Sequence, residues 1–411
     1  MIKQLTIALL ALTLAGFQSA LAQNDEGFIY GKITTIDDEI YEGPMRWGKE
    51  EVYWTDMFNA GKRENENIDY LSRDERDILR DHKRRSRSHW GGLNFDWSWD
   101  WDDDFTHQLS IQFGELKALY VTGRERLDVE LQGGMIYEIT GNGYNDIGAK
   151  IRILDNELGE LEMRWSRIDK IEFMPTPSKL NQKFGEPLYG TVETRNGSFT
   201  GFVQWDHDER VSTDKLDGDT RDGDMSIEFG RLKSIERDGN GCEIELQSGR
   251  TMFLRGSNDV DYDNRGVIVT TDYGRIDIEW REFLKVTFQK APGSGPSYAS
   301  FSDQKELTGS VMTRGGKTLK GKIVYDLDEA YDFEVLQGDF EDMEYIIPFR
   351  NISKITPRGY DESIVELKNG QTLRLEDGID VSEENNGILV FQDKNNPIYV
   401  EWQDVDEVTF N

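Results

Sequence analysis

The sequence predicts an all-β chain, on three observations: one pattern recurs three times, apolar and polar residues alternate at period two, and four of the nine prolines cluster in two short stretches between the recurring parts. In the second and third copies, Gly190-Thr191-Val192 with Phe199 to Asp206 matches Gly309-Ser310-Val311 with Leu319 to Asp326. The match continues through Asp208-Glu209 with Asp328-Glu329, Gly218-Asp219 with Gly338-Asp339, and Asp259-Val260 with Asp380-Val381. Both copies end on Val-Thr-Phe, at Val286 to Phe288 and Val408 to Phe410. Ile276, Ile278 and Trp280 alternate with Asp277 and Glu279, the period that puts one face of a strand in a core.

The elements follow in order. Residues 1–22 read as a signal peptide, with Lys3 as the basic start, an apolar run from Ile7 to Phe17 and Ala20-Leu21-Ala22 as the cleavage pattern. About eleven apolar residues fall short of the roughly 20 that cross a bilayer, so no transmembrane anchor is expected after cleavage. The expected location is outside the cytoplasm, periplasmic or extracellular.

Repeat 1 spans 27–176, marked by Gly31-Lys32-Ile33, Gly43, Trp47, Glu50-Glu51, Asp146 and Trp165, and is split by an insertion at 62–107. Repeat 2 spans 185–290 and repeat 3 spans 306–411. Between them, Met174 to Ser178 and Ala291 to Ser297 hold four of the nine prolines, which marks them as linkers and leaves the repeats compatible with sheet. Asn196-Gly197 and Asn369-Gly370 read as hairpin tips.

Each repeat of about 110 residues divides into two similar halves of about five short strands, each ending in strand, short turn, strand. The expected architecture is therefore a pair of small SH3-like or Sm-like five-stranded barrels per repeat, with one β-sandwich per repeat as the alternative. That likeness is architectural and carries no activity.

Cys242 is the single cysteine, so no intramolecular disulfide forms, and its place beside Gly241 in a strand-like run reads as packing. A formal charge of −31 from 79 acidic and 48 basic residues opposes nucleic acid as a partner. An aromatic content of 11% is more than a disordered acidic chain carries, so a folded core is expected.

The recurring acids Glu50-Glu51, Asp208-Glu209 and Asp328-Glu329, with Asp146, Asp259 and Asp380, read first as turn residues of the fold. Calcium is the sharper reading of the oxygen-rich loops, with Asp217, Asp219, Asp259, Asp261 and Asp263 as candidate ligands. Neither loop fits a twelve-residue calcium loop: Arg221 and Asp222 interrupt the first, Asn264 and Thr270 the second. No other cofactor is indicated. In the insertion, Trp90, Trp97, Trp99 and Trp101 beside Arg84, Arg85 and Arg87 are the candidate interaction residues, facing an envelope protein or a glycan. The expectation is that the repeats fold without residues 62–107, which repeats 2 and 3 lack.

No nucleophile elbow, zinc-protease helix, phosphate loop or Cys/His pairing is present, so no enzyme is assigned. The function expected is an exported, non-catalytic scaffold or interaction module of the bacterial cell envelope. A calcium-dependent or glycan-binding module is the alternative, and a polysaccharide hydrolase using paired carboxylates is the third.

Overall fold

The computed structural model describes residues 24–62, 65–80, 107–141, 144, 146–394 and 396–411. The chain is nearly all-β, with a 10-stranded and a 20-stranded sheet, both antiparallel, and no closed barrel among the described residues. Ten strands make the first block: β1 (Tyr30–Thr35), β2 (Ile40–Trp47), β3 (Met57–Lys62), β4 (His107–Gln112), β5 (Leu116–Val121), β6 (Arg126–Leu131), β7 (Ile136–Thr140), β8 (Ile151–Asp155), β9 (Gly159–Met163) and β10 (Ile168–Phe173). Their order across the sheet is β4-β3-β7-β6-β5-β10-β1-β2-β8-β9.

The second block holds β11 (Tyr189–Thr194), β12 (Gly197–Trp205), β13 (Lys215–Thr220), β14 (Gly223–Glu228), β15 (Leu232–Asp238), β16 (Gly241–Leu246), β17 (Thr251–Arg255), β18 (Val267–Thr270), β19 (Arg275–Ile278) and β20 (Phe283–Phe288). These pair as β14-β13-β17-β16-β15-β20-β11-β12-β18-β19, the same succession as in the first block. The third block holds β21 (Thr308–Thr313), β22 (Thr318–Val324), β23 (Val335–Phe340), β24 (Met343–Pro348), β25 (Ile352–Arg358), β26 (Glu362–Leu367), β27 (Thr372–Glu376), β28 (Ile388–Phe391), β29 (Pro397–Val400) and β30 (Val405–Phe410). It pairs as β24-β23-β27-β26-β25-β30-β21-β22-β28-β29.

This order links the two expected halves of each block, and neither half closes into a barrel among the described residues. β16 and β17, from the second half of their block, lie between β13 and β15 of the first half, and β20 joins β15 to β11. Each half completes its sheet with strands of the other.

Local sequence explains the strands. β6 (Arg-Leu-Asp-Val-Glu-Leu) buries every second residue, placing Leu127, Val129 and Leu131 inside. β18 (Val-Ile-Val-Thr) is buried throughout because both its faces are covered. The recurrent glycines are sites of close backbone approach: a Cβ on Gly190, Gly309 or Gly321 would lie 2.5, 1.9 or 2.0 Å from the carbonyl oxygen of Thr287, Thr409 or Phe391. At the centres sit Trp47, Trp205 and Tyr325, each fully buried and ringed by Phe113 and Trp165, Phe283 and Trp280, and Phe349 and Trp402.

Blocks two and three join edge to edge, with β19 on β24 through Arg275↔Ile346 to Ile278↔Met343. The first block meets both. Its described insertion residues form a 3-10 turn at Glu66–Tyr70 and helix over 73–80, and Leu71 and Leu79 pack on Val324, Leu327 and Leu389 of the third block. The insertion therefore has a packing role in addition to any surface role.

Candidate functional site

The recurring acids of distant sequence meet at one corner of each block. After β2, β12 and β22 the chain turns tightly, with positive φ at Gly48 (56°), Asp206 (46°) and Asp326 (50°). The turn returns Glu51, Glu209 and Glu329 to bond Trp47, Trp205 and Tyr325 through the backbone. Those three aromatic side chains reach across the core and donate to the carbonyl oxygens of Asp146, Asp259 and Asp380, at 2.8, 2.8 and 2.6 Å. Each of these aspartates accepts a backbone N–H through Oδ2, from Asn59 (2.6 Å), Asp217 (2.7 Å) and Gln337 (2.6 Å). The aspartate thus ties a second-half loop to a first-half strand, which satisfies its fold role.

Bringing carboxylates together in a buried corner has an electrostatic consequence. Burial, reinforced by nearby Asp259, Asp208 and Asp206, pushes Glu209 up to about 9. Burial and like charges also push Glu51 and Glu329 well above the usual carboxylate range. Asp146 and Asp259 rise to about 6 and Asp380 to about 7, each chiefly by burial and each opposed by its backbone N–H. In the first corner Glu50, Glu51 and Asp146 bring oxygens within 4.8 Å of one another, as do Asp326, Glu329 and Asp380 in the third. The second corner instead holds Arg265, whose guanidinium lies 3.4 Å from Asp206 and 2.9 Å from Asp208. Oε2 of Glu209 and of Glu329 is buried with no hydrogen-bond partner among the described residues.

Of the calcium ligands expected from sequence, only Asp259 sits in a corner. Asp217 contributes its backbone N–H to Asp259, while its side chain, like those of Asp219 and Asp263, is exposed. Asp261 accepts from the backbone N–H of Asp263 at 3.0 Å within its own loop. Trp90, Trp97, Trp99, Trp101, Arg84, Arg85 and Arg87 lie outside the described residues. Cys242 is fully buried, and burial pushes its thiol up to about 12, consistent with a packing role.

The junctions bring together residues that no local sequence pattern relates. Between the first and second blocks, Arg46 bonds Asp214 at 2.6 Å and Arg210 bonds Asp56 at 2.6 Å, so each block sends an arginine into the other. Asp56 and Asp214 also cap their own turns, accepting from Val52 and Tyr53, and from Arg210 and Val211. Between the first and third blocks, Lys62 lies 2.9 Å from Asp328 and 2.6 Å from Glu334. Burial alone would lower its pKa, but these two carboxylates hold the ammonium well above its ordinary range. Glu115 is fully buried; burial pushes it up to about 7, against Arg350 at 2.8 Å and Gln304 at 2.7 Å.

Beside Lys62 this second junction leaves a cleft of about 1220 Å³, walled by β3, β7 and the Glu66–Tyr70 turn on one side and by the third block on the other. Tyr70, Tyr137, Tyr331 and Phe391 line it, with Lys322 lying over Tyr331 and Phe391 at 5.9 and 5.8 Å. Sequence reasoning missed this cleft. The signal available was a difference at matching strand positions: Gln204, His207 and Thr270 of the second block stand where the third block has Val324, Leu327 and Phe391. No protein-family model, curated protein or solved structure matches the chain.

Proposed function

We propose that this chain is an exported, non-catalytic interaction module of the bacterial cell envelope, with an envelope protein or glycan as its partner. On this reading it is built from three tandem copies of one ten-strand unit, each a pair of five-stranded, SH3-like halves that exchange strands. The identical strand succession in the three blocks supports the repeat, and the signal-like first 22 residues support export. The observation that carries the binding role is the cleft between the first and third blocks, which combines aromatic walls with a polar mouth. The test is retention of native envelope components on immobilised mature protein, with a Tyr70→Ala/Gln392→Ala variant beside it. A component held by the wild type and lost by the variant is the expected result; equal retention rejects the cleft as the contact.

A second reading, a cation held at Asp326, Glu329 and Asp380, is favoured by one observation: Glu329 Oε2 is buried and unpaired where three carboxylates converge. Calcium would then raise the unfolding midpoint at pH 8, and Glu329→Gln would abolish that rise. No rise with calcium removes the reading.

A further inference from the structure

We propose that the cleft between the first and third blocks binds an uncharged oligosaccharide; this deepens, and rests on, the interaction-module reading. Size is the first argument. At about 1220 Å³ the cleft exceeds the roughly 300–1,000 Å³ typical of small-molecule pockets, which suits an extended oligomer.

The walls supply the second argument. Tyr70 is 48% exposed and is fixed by an edge contact to Phe391, with ring centres 5.1 Å apart. Tyr331 is stacked on Phe333 at 5.4 Å and 14°, so its ring is held in place before any ligand arrives. The exposed Tyr70 ring, fixed in this way, offers a negative π-face to the polarised C–H groups of a sugar at little entropic cost on binding, while Tyr331, held between Phe333 and the Lys322 ammonium, backs the wall. The mouth supplies polar groups suited to hydroxyls: exposed Glu66 and Gln392, and Lys322, whose ammonium is already oriented by Glu306 at 2.7 Å.

Charge decides between ligand classes. The lining carries Glu66, Glu138, Glu306, Asp328, Glu334 and Asp393 against Lys62, Lys322 and Lys394. The ammonium groups of Lys62 and Lys322 are already engaged by Asp328, Glu334 and Glu306, which leaves neither to pair with a uronic acid, a phosphate or another anion. A basic peptide would gain from the excess of carboxylates but would lose binding steeply with salt, whereas a neutral glycan held by stacking and hydroxyl contacts would not.

The experiment is calorimetric titration of the mature protein with cellotetraose, chitotetraose and maltotetraose, at low and high salt, beside tetragalacturonate and tetralysine. At least one neutral tetrasaccharide is expected to bind at a single site, with affinity insensitive to salt. Tyr70→Ala is expected to weaken it by about tenfold or more. Gln392→Ala, on an exposed side chain, is the second variant and is expected to weaken binding with an unchanged unfolding midpoint. Failure of all three neutral sugars to bind at ~10 mM, tighter binding of tetragalacturonate or tetralysine, or unchanged binding by both variants would overturn the inference. If a protein is retained from the envelope through the cleft while the neutral sugars fail, the glycan assignment falls and the interaction-module reading stands.

Discussion

The first block meets its two neighbours through junctions that combine buried charge and apolar contact in different ways. Toward the second block it presents Asp56 to a fully buried Arg210 and inserts Arg46 against Asp214, with the Tyr53 ring 4.8 Å from the Arg210 guanidinium. Toward the third block it lays Leu71 and Leu79 over Val324, Leu327 and Leu389, and pairs Lys62 with Asp328 and Glu334 and the buried Glu115 with Arg350. The matching positions of the second block are Gln204, His207 and Ile268; there the Gln204 amide donates to the His207 carbonyl at 2.6 Å and the His207 ring meets Asp277 at 2.9 Å. The lesson is that one strand succession supports junctions of different composition, because side chains at matching positions differ, Val324 and Leu327 standing where the second block has Gln204 and His207. A charged junction fixes orientation because its geometry must be met, while an apolar one tolerates shape changes more readily.

This contrast can be broken at its strongest point first. Asp56→Ala should cost about 3–5 kcal/mol, because it leaves the Arg210 guanidinium buried without its counter-ion and frees two backbone N–H groups. Urea unfolding of the variant measures it, and a loss below about 1 kcal/mol would mean that the charged junction does not hold the blocks together. At the other junction, Leu79→Ala should cost about 2–4 kcal/mol by opening a cavity over Val324 and Leu389. His207→Ala, at the equivalent place in the second block, should cost far less, about 0.5 kcal/mol. Equal losses for the two variants would erase the distinction between the faces.

The acidic corners give a third, smaller effect with a definite sign. Glu209 binds its proton up to about pH 9 when folded, against an ordinary value of 4.5, so between these values the folded chain holds a proton that the unfolded chain releases. Its contribution is complete below pH 4.5 and is lost as pH rises toward 9; Asp259 and Asp380, raised from 3.8 to about 6 and 7, act in the same direction. Denaturation midpoints should therefore fall from pH 5 to pH 9. Glu209→Gln should flatten that slope and gain about 1–3 kcal/mol at pH 9, since the amide needs no charge in the buried corner. A midpoint that rises over this range would contradict the burial of the corner. The smallest effect is chemical: native Cys242 should resist a thiol reagent at pH 8 and react at once in denaturant.

Much of the fold was legible in the sequence because it is local. Alternation in Arg126 to Leu131 named the inward residues, and the glycine of Asn369-Gly370 takes φ of 88° at its hairpin tip. The recurring Glu209 and Asp259 were visible as a pattern, yet only the turn at Asp206 and the crossing of the core by Trp205 place them at one corner. The candidate calcium ligands show the complementary limit: carboxylates close in sequence, such as Asp217 and Asp219, point outward along β13 and do not converge with Asp259. Lys62 and Tyr70 of the cleft come from the first block and Tyr331 from the third, so no spacing rule relates the two walls.

The sequence by itself determined the strands, their inward faces and the glycine-tipped turns, because each follows from side chains within a few residues. Tertiary structure decided which strands became neighbours, β17 beside β13 and β20 beside β15, and how the blocks meet. Backbone hydrogen bonds are the same for every residue type, so a strand carries little information about its partner. That choice is settled by the burial and charge pairing of the whole chain.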